Sequence, residues 1–243
     1  MKDLGSFRYF LGIEVVTSPT GYFLSQTKYA CDILSHANLT DDKIVDTSLE
    51  LHAKFSAFDG VPLEDPTLYR ELVGCLVYLT VTCPNISYVV HILSQFVYAP
   101  CSTHWATLLC TLRYLCGTLL HCLLLSASSD LTLRAYANAD WAGDISDRKS
   151  TSVLCAFLGD SLISWKSKKQ SVVAHSTAEA EYRAMAHATF KIVWVRWLLS
   201  DMDVSFSDPT PLYYDNQSAI QIAYNSLFYK RTKHVEIDCH FVK

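Results

Sequence analysis

The sequence predicts an α/β protein, with a mixed sheet flanked by helices in its second half, preceded by a β-hairpin and a small helical region. Three observations carry this. Apolar residues recur at helical spacing between about residues 25 and 116, then alternate in strand-like fashion after about 122. The second half reads strand, strand, strand, long helix, strand, helix, an order that builds a layered α/β domain. Half of the 243 residues are hydrophobic and 18% are charged, which is material for a packed core rather than for disorder.

Residues 7–16 (FRYFLGIEVV) and 21–25 (GYFLS) flank the turn signal TSPTG, and read as a β-hairpin. In 25–39, Ser25 is an N-cap candidate and Tyr29, Ile33, Leu34 and Ala37 fall at helical spacing. Residues 40–66 are polar with two prolines and predict a loop. Helical periodicity returns at 65–84, where Pro84 marks a stop, then at 85–98 and 102–116. Beyond, 131–138, 152–159 and 161–168 are strand-like, with Gly159-Asp160 as a hairpin turn. A long helix is predicted over 176–202, opened by the capping-box pair Ser176 and Glu179. Its aromatics Tyr182, Trp194 and Trp197 are expected in a buried stripe. A strand at 210–215 and a helix at 216–225 follow.

Several function classes are disfavoured at once. A net charge of −4 argues against a strongly cationic nucleic-acid binder, leaving room only for a local basic patch such as KSKKQ at 166–170. The nine cysteines form no C-x-x-C pair or Cys/His knuckle and read as reduced thiols of an intracellular protein. The most apolar stretch, 108–127, is interrupted by Arg113, Gly117 and His121, so no membrane span is expected; a buried helix followed by a strand fits it better. Asp3 and Arg8 lie where a signal peptide would need an apolar run.

Carboxylates sit where α/β proteins place chemistry. Strand ends and adjoining helix starts form the rim of such a sheet. Here they carry Asp140 after the first strand, Glu179 and Glu181 on the long helix, and Asp215 closing the last strand. Two-metal phosphodiester hydrolysis needs carboxylates converging from separate elements, and Mg²⁺ suits it by keeping several waters. Plainer readings stand beside this one. Glu179 serves as an N3 capping acid, Asp215 as an N-cap, and Asp140 and Asp144 as turn residues.

YANADWAGDISDRKSTSVLCAFLGDSLISWKSKKQSVVAHSTAEAEYRAMA, with YYDNQSAI and RTKHVEIDCHFVK, resembles the RNase H domain of copia-type LTR-retrotransposon Pol polyproteins. MKDLGSFRYFLGIEV, LSQTKYACDIL, YRELVGCLVYLT and HWATLLCTLRYLCGT resemble the end of the reverse transcriptase that precedes it. The resemblance covers essentially the whole chain. It implies a reverse-transcriptase remnant (palm-end hairpin, thumb and connection) at 1–122 and an RNase H-like domain at 128–243. The implied activity is cleavage of RNA in RNA–DNA hybrids with two Mg²⁺, and cytoplasm is the default compartment. The catalytic positions would fall on Asn138, Glu181 and Asp215, with Glu181 and Asp215 as metal ligands. Lys166, Lys168 and Lys169 would lie near the hybrid's phosphates.

Departures from the family pattern lead to an expectation of inactivity. Asn138 stands where the family has the first catalytic Asp, and an amide removes a charge from a site that must hold two divalent cations. Asp140, two residues on, would compensate only if the strand continued that far; the active alternative depends on it. The family's final strand and fourth carboxylate would follow HFVK, which makes the domain expected to be incomplete, with Asp238 and His240 as weak substitutes. The polymerase palm motif would lie upstream of Met1. Cys83, Cys110 and His175 stand for family arginines and Asn85 for an aspartate. Each is one C-to-T or G-to-A change away, as in an unselected genomic copy. A non-catalytic nucleic-acid-binding module is the remaining alternative.

Overall fold

The computed structural model describes residues 8–39, 43–50 and 53–224. Asp238 and His240 lie outside the described residues. The chain divides into two compact units, Met1–Ser128 and Ser129–Lys243. Among the described residues they hold two four-stranded sheets and six α-helices, a mixed α/β architecture.

In the first unit the sheet runs in the order β1 (Tyr9–Phe10), β2 (Ile13–Ser18), β3 (Gly21–Ser25) and β4 (Leu123–Ser126), all antiparallel. The expected first strand is broken into β1 and β2 because Leu11 and Gly12 both adopt positive φ, at 48° and 76°. Four helices lie between β3 and β4 in the chain: α1 (Thr27–His36), α2 (Thr67–Leu79), α3 (Ser87–Ser94) and α4 (Ser102–Gly117). The helix expected over 85–98 is shorter. Pro84 opens a 3₁₀ turn, Pro84–Ile86, ahead of α3, as suits a residue without an N–H to donate. Tyr69, Leu72, Leu76, Leu79, Leu93, Leu108 and Leu112 are fully buried between the helices. At the start of α4 the Nδ1 of buried His104 accepts the Cys101 N–H at 2.9 Å, while its ring stacks on Phe96 at 3.9 Å.

The second unit carries β5 (Leu133–Ala139), β6 (Thr151–Leu158), β7 (Ser161–Lys169), α5 (Thr177–Asp201), β8 (Leu212–Tyr213) and α6 (Gln217–Tyr224). The sheet order is β7-β6-β5-β8, with β5 to β7 antiparallel and β8 parallel to β5. A parallel partner needs a crossover, and α5 supplies it. Along β5 the side chains alternate: Leu133, Ala135, Ala137 and Ala139 are buried, while Tyr136 and Asn138 face outward. Ile192 and Val195 of α5 pack on Leu133, Ala135 and Ala156. Ser176 Oγ accepts the Glu179 N–H at 3.2 Å, the expected cap.

The expectation for the long helix fails in part. Tyr182 is 1% exposed, but Trp194 and Trp197 are 45% and 66% exposed. The C-terminal half of α5 meets the sheet through Ile192, Val195 and Leu199, and the tryptophans lie beside that stripe rather than in it. Among the described residues no helix is long and apolar enough to cross a membrane.

One glycine fixes the first sheet. Gly21 has φ +138°, and a Cβ there would come within 2.1 Å of the Leu125 carbonyl oxygen across the β3–β4 pair. Gly21→Ala is expected to lower stability by at least ~1–3 kcal/mol, the order of a strained backbone position, read as an earlier denaturant midpoint. A midpoint unchanged within error would refute the close approach.

Candidate functional site

The end of β5, the first turns of α5 and the end of β8 converge. They meet closely because the side chains between them are small: Ala139, Ala174, Ala180 and Ala184 form a buried cluster of their own. Gln170, just past β7, secures the approach, its Nε2 donating to the Ala180 carbonyl at 2.9 Å and to Ser152 Oγ at 3.0 Å. Glu181 is thereby brought to the β5 end, where its carboxylate accepts a hydrogen bond from the Ala139 N–H.

Glu181 is 3% exposed, and its Oε2 has no hydrogen-bond partner. Burial holds its carboxyl above the usual glutamate range. The Ala139 N–H pulls the other way, and the charges of Asp215 and Asp140 push up further. Tyr214, between β8 and Asp215, buries a hydroxyl that also lacks a partner. Its phenol is pushed well above the ordinary value, first by burial and then by the Glu181 charge. No sequence signal marked Tyr214; only the strand alternation that turns it inward, opposite to exposed Tyr213, could have done so.

Asn138 and Asp215 stand on the exposed side of the same corner. The amide Nδ2 donates to Asp215 Oδ2 at 3.5 Å, a long bond. Asp215 is not the cap of α6. Asn216 is, its Oδ1 accepting the Ala219 N–H at 3.0 Å, so the Asp215 carboxylate is left to face Asn138.

The other acids are engaged elsewhere. Glu179 Oε2 accepts the His175 N–H at 2.9 Å and Oε1 pairs with Arg183 at 2.6 Å, which assigns it to the helix start. β5 ends at Ala139, and Asp140 belongs to the turn. Its Oδ1 accepts the Thr151 N–H at 2.6 Å, and it takes a second backbone bond from Gly143. Asp144 and Asp147 hold Lys169 Nζ at 2.5 and 3.0 Å. Lys166 and Lys168 are exposed on β7, on the sheet face opposite Asn138. Lys166 pairs in register with Leu154 and Lys168 with Ser152, whereas Asn138 pairs with Val153.

Among the described residues no group of three or more His, Cys, Asp and Glu is arranged to hold a metal ion. The donors at the corner are two carboxylates and one amide. Two divalent cations carry four positive charges against the two negative ones of Glu181 and Asp215, so the residues present do not fit a two-cation centre. The unpartnered Glu181 oxygen and the neighbouring Asp215 are the groups left for a single cation.

A layered α/β unit with a carboxylate corner at its strand ends is the class this geometry defines. Comparison with known proteins gives the family. The chain is 42% identical over all 243 residues to the Retrovirus-related Pol polyprotein from transposon RE1 of Arabidopsis thaliana, spanning 17% of that protein's length. It is 37% identical to the corresponding polyprotein from transposon TNT 1-94 of Nicotiana tabacum, covering all of this chain and 19% of the relative. An uncharacterized mitochondrial protein of Arabidopsis thaliana is 44% identical over 80% of both chains. The chain belongs to the retrovirus-related Pol polyproteins of copia-type transposons and spans less than a fifth of the length of the polyproteins it matches. No protein-family model and no solved structure matches it.

The buried Glu181 has a consequence for pH. Its carboxyl is raised on folding, so the folded chain binds the proton more tightly than the unfolded one. Its contribution to stability is then present below the ordinary glutamate value of 4.5 and is lost as pH rises through the raised value. Glu181→Gln in a chelator-containing buffer is expected to melt higher than the parent at pH 7.5, with the gap closing toward pH 4.5. Parallel pH profiles for the two proteins would show that the carboxylate is not strained.

Proposed function

We propose that the second unit is an RNase H-like module of the transposon Pol protein whose hydrolytic function has lapsed, and that the first unit is a remnant of the reverse transcriptase end. The ancestral reaction is endonucleolytic cleavage of the RNA strand of an RNA–DNA hybrid, which two Mg²⁺ support by activating water and stabilising the leaving oxygen. Supporting the assignment are the antiparallel β7-β6-β5 order with β8 parallel to β5, and carboxylates drawn from α5 and the β8 end. The observation that carries the loss of function is the Asn138 amide donating to Asp215 Oδ2. A donor at that position satisfies the carboxylate that a cation would otherwise neutralise, and it adds no charge of its own. Asp140 does not take over, because its carboxylate is committed to the Thr151 and Gly143 N–H groups of the turn.

The corner's remaining parts still make sense chemically. Glu181, fixed by the Ala139 N–H, presents one free oxygen, and Asp215 presents the other carboxylate across from Asn138. Restoring a third carboxylate would restore the charge.

Incubation of a labelled RNA–DNA hybrid with the full chain in Mg²⁺ or Mn²⁺ is expected to leave it intact. The Asn138→Asp variant is expected to cut it, and the Asn138→Asp, Glu181→Gln double variant to lose that activity. In parallel, Mn²⁺ at about 100 times its Kd would stabilise the single variant by about 2.7 kcal/mol and the parent by much less. Cleavage by the parent that Glu181→Gln abolishes would overturn the proposal.

A further inference from the structure

Only one side of the C-terminal half of α5 meets the sheet. Val193, Trp194, Trp197, Leu198 and Met202 recur at helical spacing on the side away from Ile192, Val195 and Leu199. Trp197 and Met202 are 66% and 65% exposed, Trp194 45%, Leu198 44% and Val193 38%. With about 250 Å² for a tryptophan, these exposures leave on the order of 500 Å² of apolar surface open. That is as large as the largest patch on an ordinary monomer, about 300–600 Å², a size that marks interaction sites.

The charges along this span are ordered. From Tyr182 to Ser200 the helix carries no acid, and Asp201 closes it. Lys191 stands at the other end of the stripe, its Nζ 4.0 Å from the centre of the Trp194 ring. Arg196, the cation between them, is turned to the flank by bonds to the carbonyls of Phe206 and Asp208 and to Thr210 Oγ1. Among the described residues neither Lys191 nor Asp201 forms an ion pair.

We propose that this stripe is a self-association face, on which a second copy of the chain lays its own α5 antiparallel about a two-fold axis beside Arg196. Lys191 and Asp201 are each five residues from that position, so the axis sets Lys191 of each copy against the partner's Asp201. Trp194 and Leu198 are each two residues from it, so each indole meets the partner's Leu198, a large side chain against a smaller one. Trp197, next to the axis, lies at the centre of the contact, where interface energy concentrates. Burial and then the charge of Lys166 hold Lys191 below the usual lysine range, and an arriving carboxylate relieves that repulsion.

The order of charge selects the occupant. A basic segment would be repelled at Lys191 and an acidic one at Asp201, whereas the reversed copy is attracted at both ends. About 500 Å² per copy falls short of the ~800 Å² of a standard interface, so the dimer is weak, with a Kd on the order of 10 µM. Glu181 and Asp215 take no part in the contact, which is therefore independent of any hydrolysis at the corner.

Sedimentation equilibrium of the full chain between about 1 and 200 µM brackets that Kd, and the average mass is expected to rise from one chain to two. Trp197→Ala is expected to weaken association at least about thirtyfold, as loss of a central tryptophan does. Lys191→Glu and Asp201→Lys are each expected to weaken it about tenfold, since each turns both cross pairs into like charges. An equimolar mixture of these two variants is expected to recover the parental masses, because the mixed pair again sets opposite charges at both ends. Circular dichroism confirms that each variant is folded, and all three positions are on the helix surface. A parent that stays monomeric throughout overturns the proposal. So does parental association by Trp197→Ala or by either charge variant, or a mixture no more associated than its components. Mass that climbs past two chains also overturns it and assigns the stripe to unspecific association.

Discussion

The second unit depends on how closely the first turns of α5 approach the end of β5. Four alanines, Ala139, Ala174, Ala180 and Ala184, make that approach possible. A larger side chain at any of them would hold the helix off the sheet, since packed interiors have no spare volume to absorb it. Gln170 reinforces the contact by donating across it to the Ala180 carbonyl. Glu181 then reaches the Ala139 N–H, and the β8 end brings Asp215 and Tyr214 to the same corner. The result concentrates negative charge in a partly dry place, which costs stability unless something neutralises it.

Asn138 bears on that balance. A carboxylate there would face Asp215 and raise the local repulsion; the amide instead offers a donor, and the hydrogen bond to Oδ2 replaces repulsion with attraction. The Asn138 amide therefore lowers the electrostatic strain at the corner. The surrounding acids take no part in that contact. Glu179 is closed off by Arg183 and the His175 N–H, and Asp140 by the backbone of its own turn.

Periodicity made most of the second unit legible. The strands over 131–138, 152–159 and 161–168 appear as Leu133–Ala139, Thr151–Leu158 and Ser161–Lys169, because one face of each is apolar and the turn between the last two carries Gly-Asp. The start of α5 was legible from Ser176. Less was visible where a residue's identity does not announce its backbone. Leu11 carries no sign that it will take a positive φ and split the first strand. Trp194 and Trp197 obey helical spacing yet lie outside the buried stripe, since hydrophobicity alone does not say how much of a helix its sheet can cover. At the carboxylate corner, local pattern did not separate Glu181 from Glu179, two acids within about a turn and a half of the same cap. The family resemblance pointed to Glu181, and the structure shows the physical difference: Glu179 has partners for its charge, whereas Glu181 leaves an oxygen unsatisfied.

The sheet of the second unit has two unlike faces. On one, Asn138 and Asp215 lie beside Tyr136, stacked on Tyr213 with ring centres 4.9 Å apart. On the other, α5 covers the apolar residues near β5 and leaves β7 with lysines and aromatic rings at its border. Strand alternation keeps the two chemistries apart, since adjacent residues on β6 and β7 serve opposite faces. A substitution on the Asn138 face therefore leaves the lysine-bordered face of β7 untouched. The two surfaces share a helix, but α5 contributes to them at different ends, Glu181 in its first turns and Lys191 and Trp194 well beyond.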